Sequence, residues 1–234
     1  MFKKYRDQDD QSDIFGQEVA AYIENLHHKS QQQWIGLSPL IIRYAFSRIL
    51  GRRLTFNSSR LKKYGLAIDP AQGRFLYAMV LAKQPKVIVE YGTSFGISTL
   101  YLAQALKFIG QGQIFGAELE SLKTDQALKN LQACALDHLV EIRLGDVLQT
   151  FKDFQHKIDM IFMDGFPALN LDVLNRLEPY MNPGCLIVTD DAILFGFEMK
   201  EYLTYLKHSD YYSHQVIPLS DGMGVSILKT PIKY

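Results

Sequence analysis

The 234-residue sequence predicts an α/β fold: a mostly parallel sheet with one antiparallel strand, helices on both faces, and a helical extension before it. Three observations carry this expectation. From Asp69 onward, short apolar runs alternate with stretches of helical periodicity, the pattern of strand-helix-strand units. The segment Val87-Ile88-Val89-Glu90-Tyr91-Gly92-Thr93-Ser94-Phe95-Gly96 places an acid and two glycines at a strand-to-helix turn. The last two apolar runs, about 211–219 and 223–228, are separated by Asp221-Gly222. A connection that short joins antiparallel neighbours.

The elements follow in order. Residues 1–60 read as a helical extension and 61–234 as the main domain. Ile14, Phe15, Val19, Tyr22, Ile23 and Leu26 recur at three-to-four spacing and predict one amphipathic helix. Ser38-Pro39, followed by Leu40-Ile41-Ile42 and closed by Gly51, predicts another, with proline in the first turn and glycine past the end. Lys29-Ser30-Gln31-Gln32-Gln33 reads as a polar connection between them, and the extension, Trp34 included, as a lid or a dimer face. The apolar runs predict parallel strands at about 86–91, 113–118, 140–145, 158–163 and 185–190. Helices are expected at about 70–83, 96–108, 121–135, 169–177 and 197–207.

Composition narrows the partners. With 25 basic and 25 acidic residues there is no net field to attract a polyanion, so nucleic acid is not expected as a partner. The start lacks the apolar core of a signal peptide and no run reaches the roughly 18 apolar residues of a membrane span. The expectation is a cytoplasmic protein that meets no membrane and acts on a small molecule, with a homodimer as one option and the oligomeric state left open. Cys134 and Cys185 have no metal-ligand spacing and lie in apolar runs, which predicts buried free thiols.

The glycine turn carries chemistry. Gly92 and Gly96 remove side chains that would keep a ligand from the backbone. Their spacing is Gly-x-x-x-Gly with Ser94 between them, whereas a dinucleotide site uses Gly-x-Gly-x-x-Gly so that a pyrophosphate can approach. A nucleoside without pyrophosphate fits better, and S-adenosylmethionine (SAM) is such a molecule. Glu118, at the end of the second strand, can accept both ribose hydroxyls. Glu90 at an apolar strand end is costly unless its carboxylate is hydrogen-bonded. Ser98 opens the following helix, where hydroxyl, amides and dipole favour a carboxylate, or where it is a simple cap.

Taken in order, Asp69-Pro70-Ala71-Gln72-Gly73, Glu90 to Ser98, Gly116-Ala117-Glu118, Arg143-Leu144-Gly145-Asp146, Phe162-Met163-Asp164-Gly165, Val188-Thr189-Asp190-Asp191 and Asp221-Gly222-Met223-Gly224 resemble one family. It is the class I SAM-dependent methyltransferases, in the cation-dependent catechol and caffeoyl-CoA O-methyltransferase form, with its Rossmann-like sheet. The resemblance implies a cofactor site of Glu90, Gly92, Ser94, Gly96, Ser98, Glu118, Gly145, Asp146 and Asp164. Glu90 would organise the glycine loop and face the methionine amino group. Asp146 would lie beside the adenine, although a helix cap explains it equally well.

Asp164, Asp190 and Asp191, at two adjacent strand ends, are the candidate catalytic and metal-binding residues. Three carboxylates suit a hard cation such as Mg²⁺, and a metal-free polar pocket is the alternative. The family holds its ion with two aspartates and an asparagine, the asparagine at the position of Asp191. It also carries a lysine three residues after the first aspartate, where this chain has Pro167, and proline cannot act as a base. Deprotonation then falls to the cation, to an aspartate, or to His208 or His214. Phe166, Phe195 and Phe197 form either an aromatic wall for a planar acceptor or part of the core. Two other functions stay open: a non-catalytic SAM-binding protein that docks a partner, and a nicotinamide-dependent oxidoreductase.

Overall fold

The computed structural model describes residues 11–36 and 67–232. The expected second helix of the extension, Ser38 to Gly51, lies outside the described residues, as does the side chain of Trp34. Helix α1 (Ser12–Phe15) ends at Gly16, whose φ of 72° and ψ of 159° belong to a region that only glycine adopts readily. Helix α2 (Gln17–Gly36) starts immediately after it. Two expectations are corrected here. The predicted single helix is broken at Gly16, and the predicted polar connection Lys29–Gln33 is helical, because lysine, serine and glutamine carry no helix-breaking chemistry.

The remaining elements are α3 (Pro70–Lys83), β1 (Val87–Tyr91), α4 (Ile97–Ile109), β2 (Gln113–Glu118), α5 (Ser121–Ala133), β3 (Val140–Leu144) and the short α6 (Val147–Thr150). They continue through β4 (Ile158–Met163), α7 (Asn170–Leu177), β5 (Met181–Thr189), α8 (Lys200–His208), β6 (Tyr212–Ile217) and β7 (Met223–Leu228). The seven strands run in the order β3-β2-β1-β4-β5-β7-β6. The first five are parallel, and β7 is antiparallel to both β5 and β6. The single reversed strand read from the Asp221-Gly222 turn is therefore present.

Period-two alternation divides the strands between two cores. Ile88, Ile114, Met160, Phe162, Leu186 and Val188 face one side with α3, α4 and the extension. Val89, Phe115, Ala117, Ile161, Met163 and Ile187 face the other with α7 and α8. Strand β5 begins four residues earlier than expected, because pairing with β4 persists across Asn182-Pro183-Gly184 through a register shift between Ile158 and Met160. Proline and glycine there mark a bulge inside the strand and not its beginning. The Asn182 amide ties the irregularity to Asp159 at 2.8 Å.

The extension packs on α4. Ile14, Phe15, Ala20, Ile23 and Leu26 are buried, and burying each large apolar side chain contributes about 1.5–3 kcal/mol. The bidentate Arg74–Asp13 pair at 2.8 and 2.9 Å is largely solvent-exposed on the aspartate side and contributes about 1 kcal/mol at most. Apolar packing, not the ion pair, seats these helices. Tyr101 is the fixed point of the contact: Phe15 meets its ring edge-on at 5.1 Å, and His27 Nε2 lies 2.9 Å from its hydroxyl.

Gly73 of α3 passes directly over that ring, so a Cβ there would overlap the Tyr101 carbons. Alanine improves helix propensity by about 1 kcal/mol over glycine. Overpacking a ring pinned on two sides costs about 1–3 kcal/mol in the other direction. Gly73→Ala should therefore lower the urea midpoint, and a rise would show that the ring moves aside freely.

Candidate active site

The expected cofactor and metal residues all lie at the carboxyl edge of the five parallel strands, where open α/β sheets bind ligands. The centre of the edge is Glu90, which has no exposed surface. Its Oε1 accepts from the Ser98 hydroxyl at 2.7 Å, and its Oε2 accepts from Thr99 at 2.6 Å and Thr93 at 3.1 Å. Burial pushes the Glu90 carboxyl above its ordinary range; the three hydroxyls oppose that rise and the nearby Glu118 charge adds to it. Ser98 thus serves the acid of β1 and is neither a free donor nor a helix cap; no side chain caps α4. Thr93 and Thr99 are partners that sequence reading missed, though both stand within or beside the quoted motif.

Gly92 and Gly96 adopt φ of 96° and 78°, and Ser94 follows the same left-handed tendency at 50°. A Cβ on Gly92 would strike the carbonyl of Asp164, so glycine lets the β1 loop touch the end of β4. Glu118 ends β2 and accepts from the backbone N–H of Ser94 at 2.8 Å and of Glu120 at 2.9 Å. Gly145 has φ of 134°, and its N–H continues the ladder to the Glu118 carbonyl at 2.8 Å. Asp146 caps α6 through Leu148 N–H at 2.9 Å, which realises the cap reading. A crevice is lined by Thr93, Ser94, Phe95, Ile97, Ser98 and Asp164. The Ser94 hydroxyl oxygen beside it is buried with no partner among the described residues, as a group reserved for a ligand would be.

The second half of the site is acidic. One oxygen from each of Asp164, Asp190 and Asp191 falls within 4.8 Å of the other two. Asp164 and Asp190 follow β4 and β5 directly, their N–H groups bonded to Tyr91 and Met163 carbonyls at 2.8 and 3.0 Å. Asp191 has φ of 59°, a left-handed conformation that, after glycine, asparagine and aspartate tolerate best. Burial, then Asp190 and Asp191, push the Asp164 carboxyl well above its usual range. Burial raises Asp190 to about 7, helped by Asp221 and Asp69 and opposed by the Asp191 N–H and the Gln72 amide. Burial, Asp190 and Asp221 raise Asp191 to about 8. Three oxygen donors that repel one another at this range suit a hard divalent cation.

Pro167 opens a short 3-10 turn (Pro167–Leu169), so no lysine reaches the acids from that position. The turn is held from below by Tyr91, whose hydroxyl accepts from Phe166 N–H at 3.0 Å. Neither candidate histidine joins the carboxylates. His208 is exposed at the end of α8 beside the Thr204 carbonyl, and His214 pairs with Ser226 at 2.8 Å across β6 and β7. Phe195 packs against the second core, Phe166 is half-buried, and Phe197 is exposed. A different histidine approaches the site: His27 of α2 lines a cavity of about 120 Å³ with Ser30, Gln31, Ile68, Asp69, Gln72 and Asp221. Its signal in the sequence was its place four residues after Ile23 on the apolar stripe.

The strand order and the glycine-loop site define a class I methyltransferase fold. Residues 89–192 match the family described as "Methyltransferase domain". The chain is 32% identical over 143 residues to a catechol O-methyltransferase of Niastella koreensis and 28% identical over 132 residues to one of Mycobacterium tuberculosis. These alignments cover 59% and 56% of this chain and 64% and 59% of the relatives, less than two thirds of their length. The solved O-methyltransferase of Streptomyces achromogenes in complex with SAM superposes with a TM-score of 0.67 at 20% identity, over 81% of this chain and 96% of that one. The resemblance read from the motifs is borne out, and the sheet is the one these folds share.

The Glu90 cluster generates a test of its own. Thr99→Val keeps the shape of the side chain but removes one donor from a buried carboxylate. Hydrogen bonds to charged groups contribute about 1.5–3 kcal/mol, so the free energy of unfolding in denaturant should fall by that amount. An unchanged value would mean that Glu90 is held without Thr99.

Proposed function

We propose that the chain is a SAM-dependent O-methyltransferase, that a divalent cation at Asp164, Asp190 and Asp191 assists it, and that its acceptor is a small hydroxylated, catechol-like molecule. One observation carries the reading: the glycine loop and the three carboxylates meet through the contact of Gly92 with Asp164. A methyl donor seated on the loop would lie beside a hydroxyl seated at the acids. The names of the relatives, catechol O-methyltransferases, support the same acceptor class.

Methyl transfer to oxygen is a direct displacement, so the protein has to align the two reactants, keep water out and leave the hydroxyl ionised. Glu118 and Ser94 offer polar groups along the donor, and Glu90, held by the Ser98 hydroxyl, fixes the loop that carries them. When bound, a cation at the three aspartates would supply positive charge that lowers the pKa of a coordinated hydroxyl. With Pro167 in place of a lysine, the proton would pass to one of the aspartates or to solvent. A phenol starts near pKa ~10, so an acceptor that chelates the ion through two adjacent oxygens gains most.

The test is a labelled-methyl transfer assay on catechols and matched monophenols. Turnover should vanish in excess chelator, return with Mg²⁺ or Mn²⁺, and favour the catechols. Full turnover in chelator would overturn the cation, and equal rates on monophenols would overturn the acceptor class. His208→Ala and His214→Ala should retain the rate, since both rings are bonded elsewhere. Glu118→Ala should weaken SAM binding in calorimetry by about 1–3 kcal/mol, the consequence of leaving hydroxyl donors poorly paired.

A further inference from the structure

Gln72 stands in the first turn of α3, buried, with its side chain fixed at both ends. Its Oε1 accepts from the Asp69 backbone N–H at 2.8 Å, and the Asp69 carboxylate accepts from the Gln72 N–H at 2.8 Å, a reciprocal capping box. A backbone N–H can only donate. The amide oxygen must therefore face Asp69, and the amide nitrogen must face away from it. The nitrogen lies 2.5 Å from Asp190 Oδ1 and 3.6 Å from the sulfur of Met223. The capping box thus sets the orientation of a donor aimed at one of the three clustered carboxylates, 118 residues away in sequence.

We propose that Gln72 is a positioning residue that holds the Asp190 carboxylate in the orientation needed to ligate a divalent cation; this rests on the cation-assisted reading above. The residue type fits the task. A lysine or arginine at this place would orient Asp190 but cancel the charge that attracts a cation, and an apolar side chain would leave the neighbouring Asp191 N–H to orient the carboxylate without the amide. A neutral amide orients without neutralising. Donors beyond the ligands themselves commonly change metal affinity by about 10- to 100-fold.

Mn²⁺ is the probe, with the free ion counted by electron paramagnetic resonance on the full chain. Gln72→Met, close in shape, should weaken Mn²⁺ binding about 10-fold or more. SAM affinity should stay within about twofold, since the glycine loop is untouched, and that also reports a folded protein. Gln72→Asn, one methylene too short to span Asp69 and Asp190, should weaken the ion in the same direction. Asp69→Ala removes the other half of the capping box but leaves the N–H that orients Gln72, so it should cost less than about threefold. Unchanged Mn²⁺ affinity in both Gln72 variants would overturn the assignment while leaving the cation site standing. Equal losses in Asp69→Ala and Gln72→Met would overturn it too, because the helix start would then be what matters. Absence of Mn²⁺ binding by the unaltered chain would bring down the cation reading and this inference together.

Discussion

A carboxylate with no exposed surface, Glu90 at the end of the central strand β1, is the constraint around which the cofactor side is arranged. Removing such a charge from water costs several kcal/mol, and here the hydrogen-bond partners are three neutral hydroxyls. Each charge-assisted bond returns about 1.5–3 kcal/mol, so the three together offset the desolvation and no one of them is spare. The donors come from both sides of the glycine turn, Thr93 from the loop and Ser98 and Thr99 from the start of α4. Satisfying Glu90 therefore determines where the loop runs and how the helix leaves it. The neighbouring strand conforms as well: Gly116, paired with Glu90 across β1 and β2, has no Cβ because one would strike the Thr93 hydroxyl.

The acidic side has a different architecture. Asp164 and Asp190 extend from strand ends, but their surroundings are assembled from segments far apart in the chain. Gln72 reaches Asp190 from α3, and Ser220 donates to the Asp69 carboxylate from the turn before β7. The N–H groups of Ala192, Ile193 and Leu194 bond to the carbonyls of Gly222 and Asp221. The start of α3, the loop after β5 and the β6–β7 turn are thereby stitched into one polar unit. Mutual repulsion among its carboxylates opposes that unit, and a cation would relieve it.

This difference explains what could be read from the sequence. The strands from 87 to 189 and the helices between them were legible because each depends on local periodicity and on glycine placement. The glycine turn announced itself because Glu90, Gly92, Gly96 and Ser98 lie within nine residues of one another. The errors have local causes too. Gly16 breaks a helix whose apolar spacing continues across it, and Pro183-Gly184 form a bulge where those residues ordinarily end strands. The ties of Gln72 to Asp190, of His27 to Tyr101 and of Tyr91 to Phe166 were not legible, since the partners lie 118, 74 and 75 residues away. No window along the chain contains both members of such a pair.

Short-range and long-range construction also separate the two tasks of the crevice. The glycine-loop half is bound to the central strand through a buried charge, so changes there are felt as stability. The acidic half borders a cavity shared by α2, the start of α3 and the turn at Asp221, elements joined by a few polar contacts at the edge of the sheet. Replacing Ser30 or Gln31 alters that cavity away from the Glu90 hydroxyls, whereas Ile68 lines both it and the glycine-loop crevice. The lysine position shows the same independence. Pro167 opens a turn that Tyr91 pins from β1, so the loop holds its shape with a residue that cannot take a proton. The acidic side can then vary on a frame whose glycine-loop side stays fixed, which is how one strand-end geometry serves different chemistry.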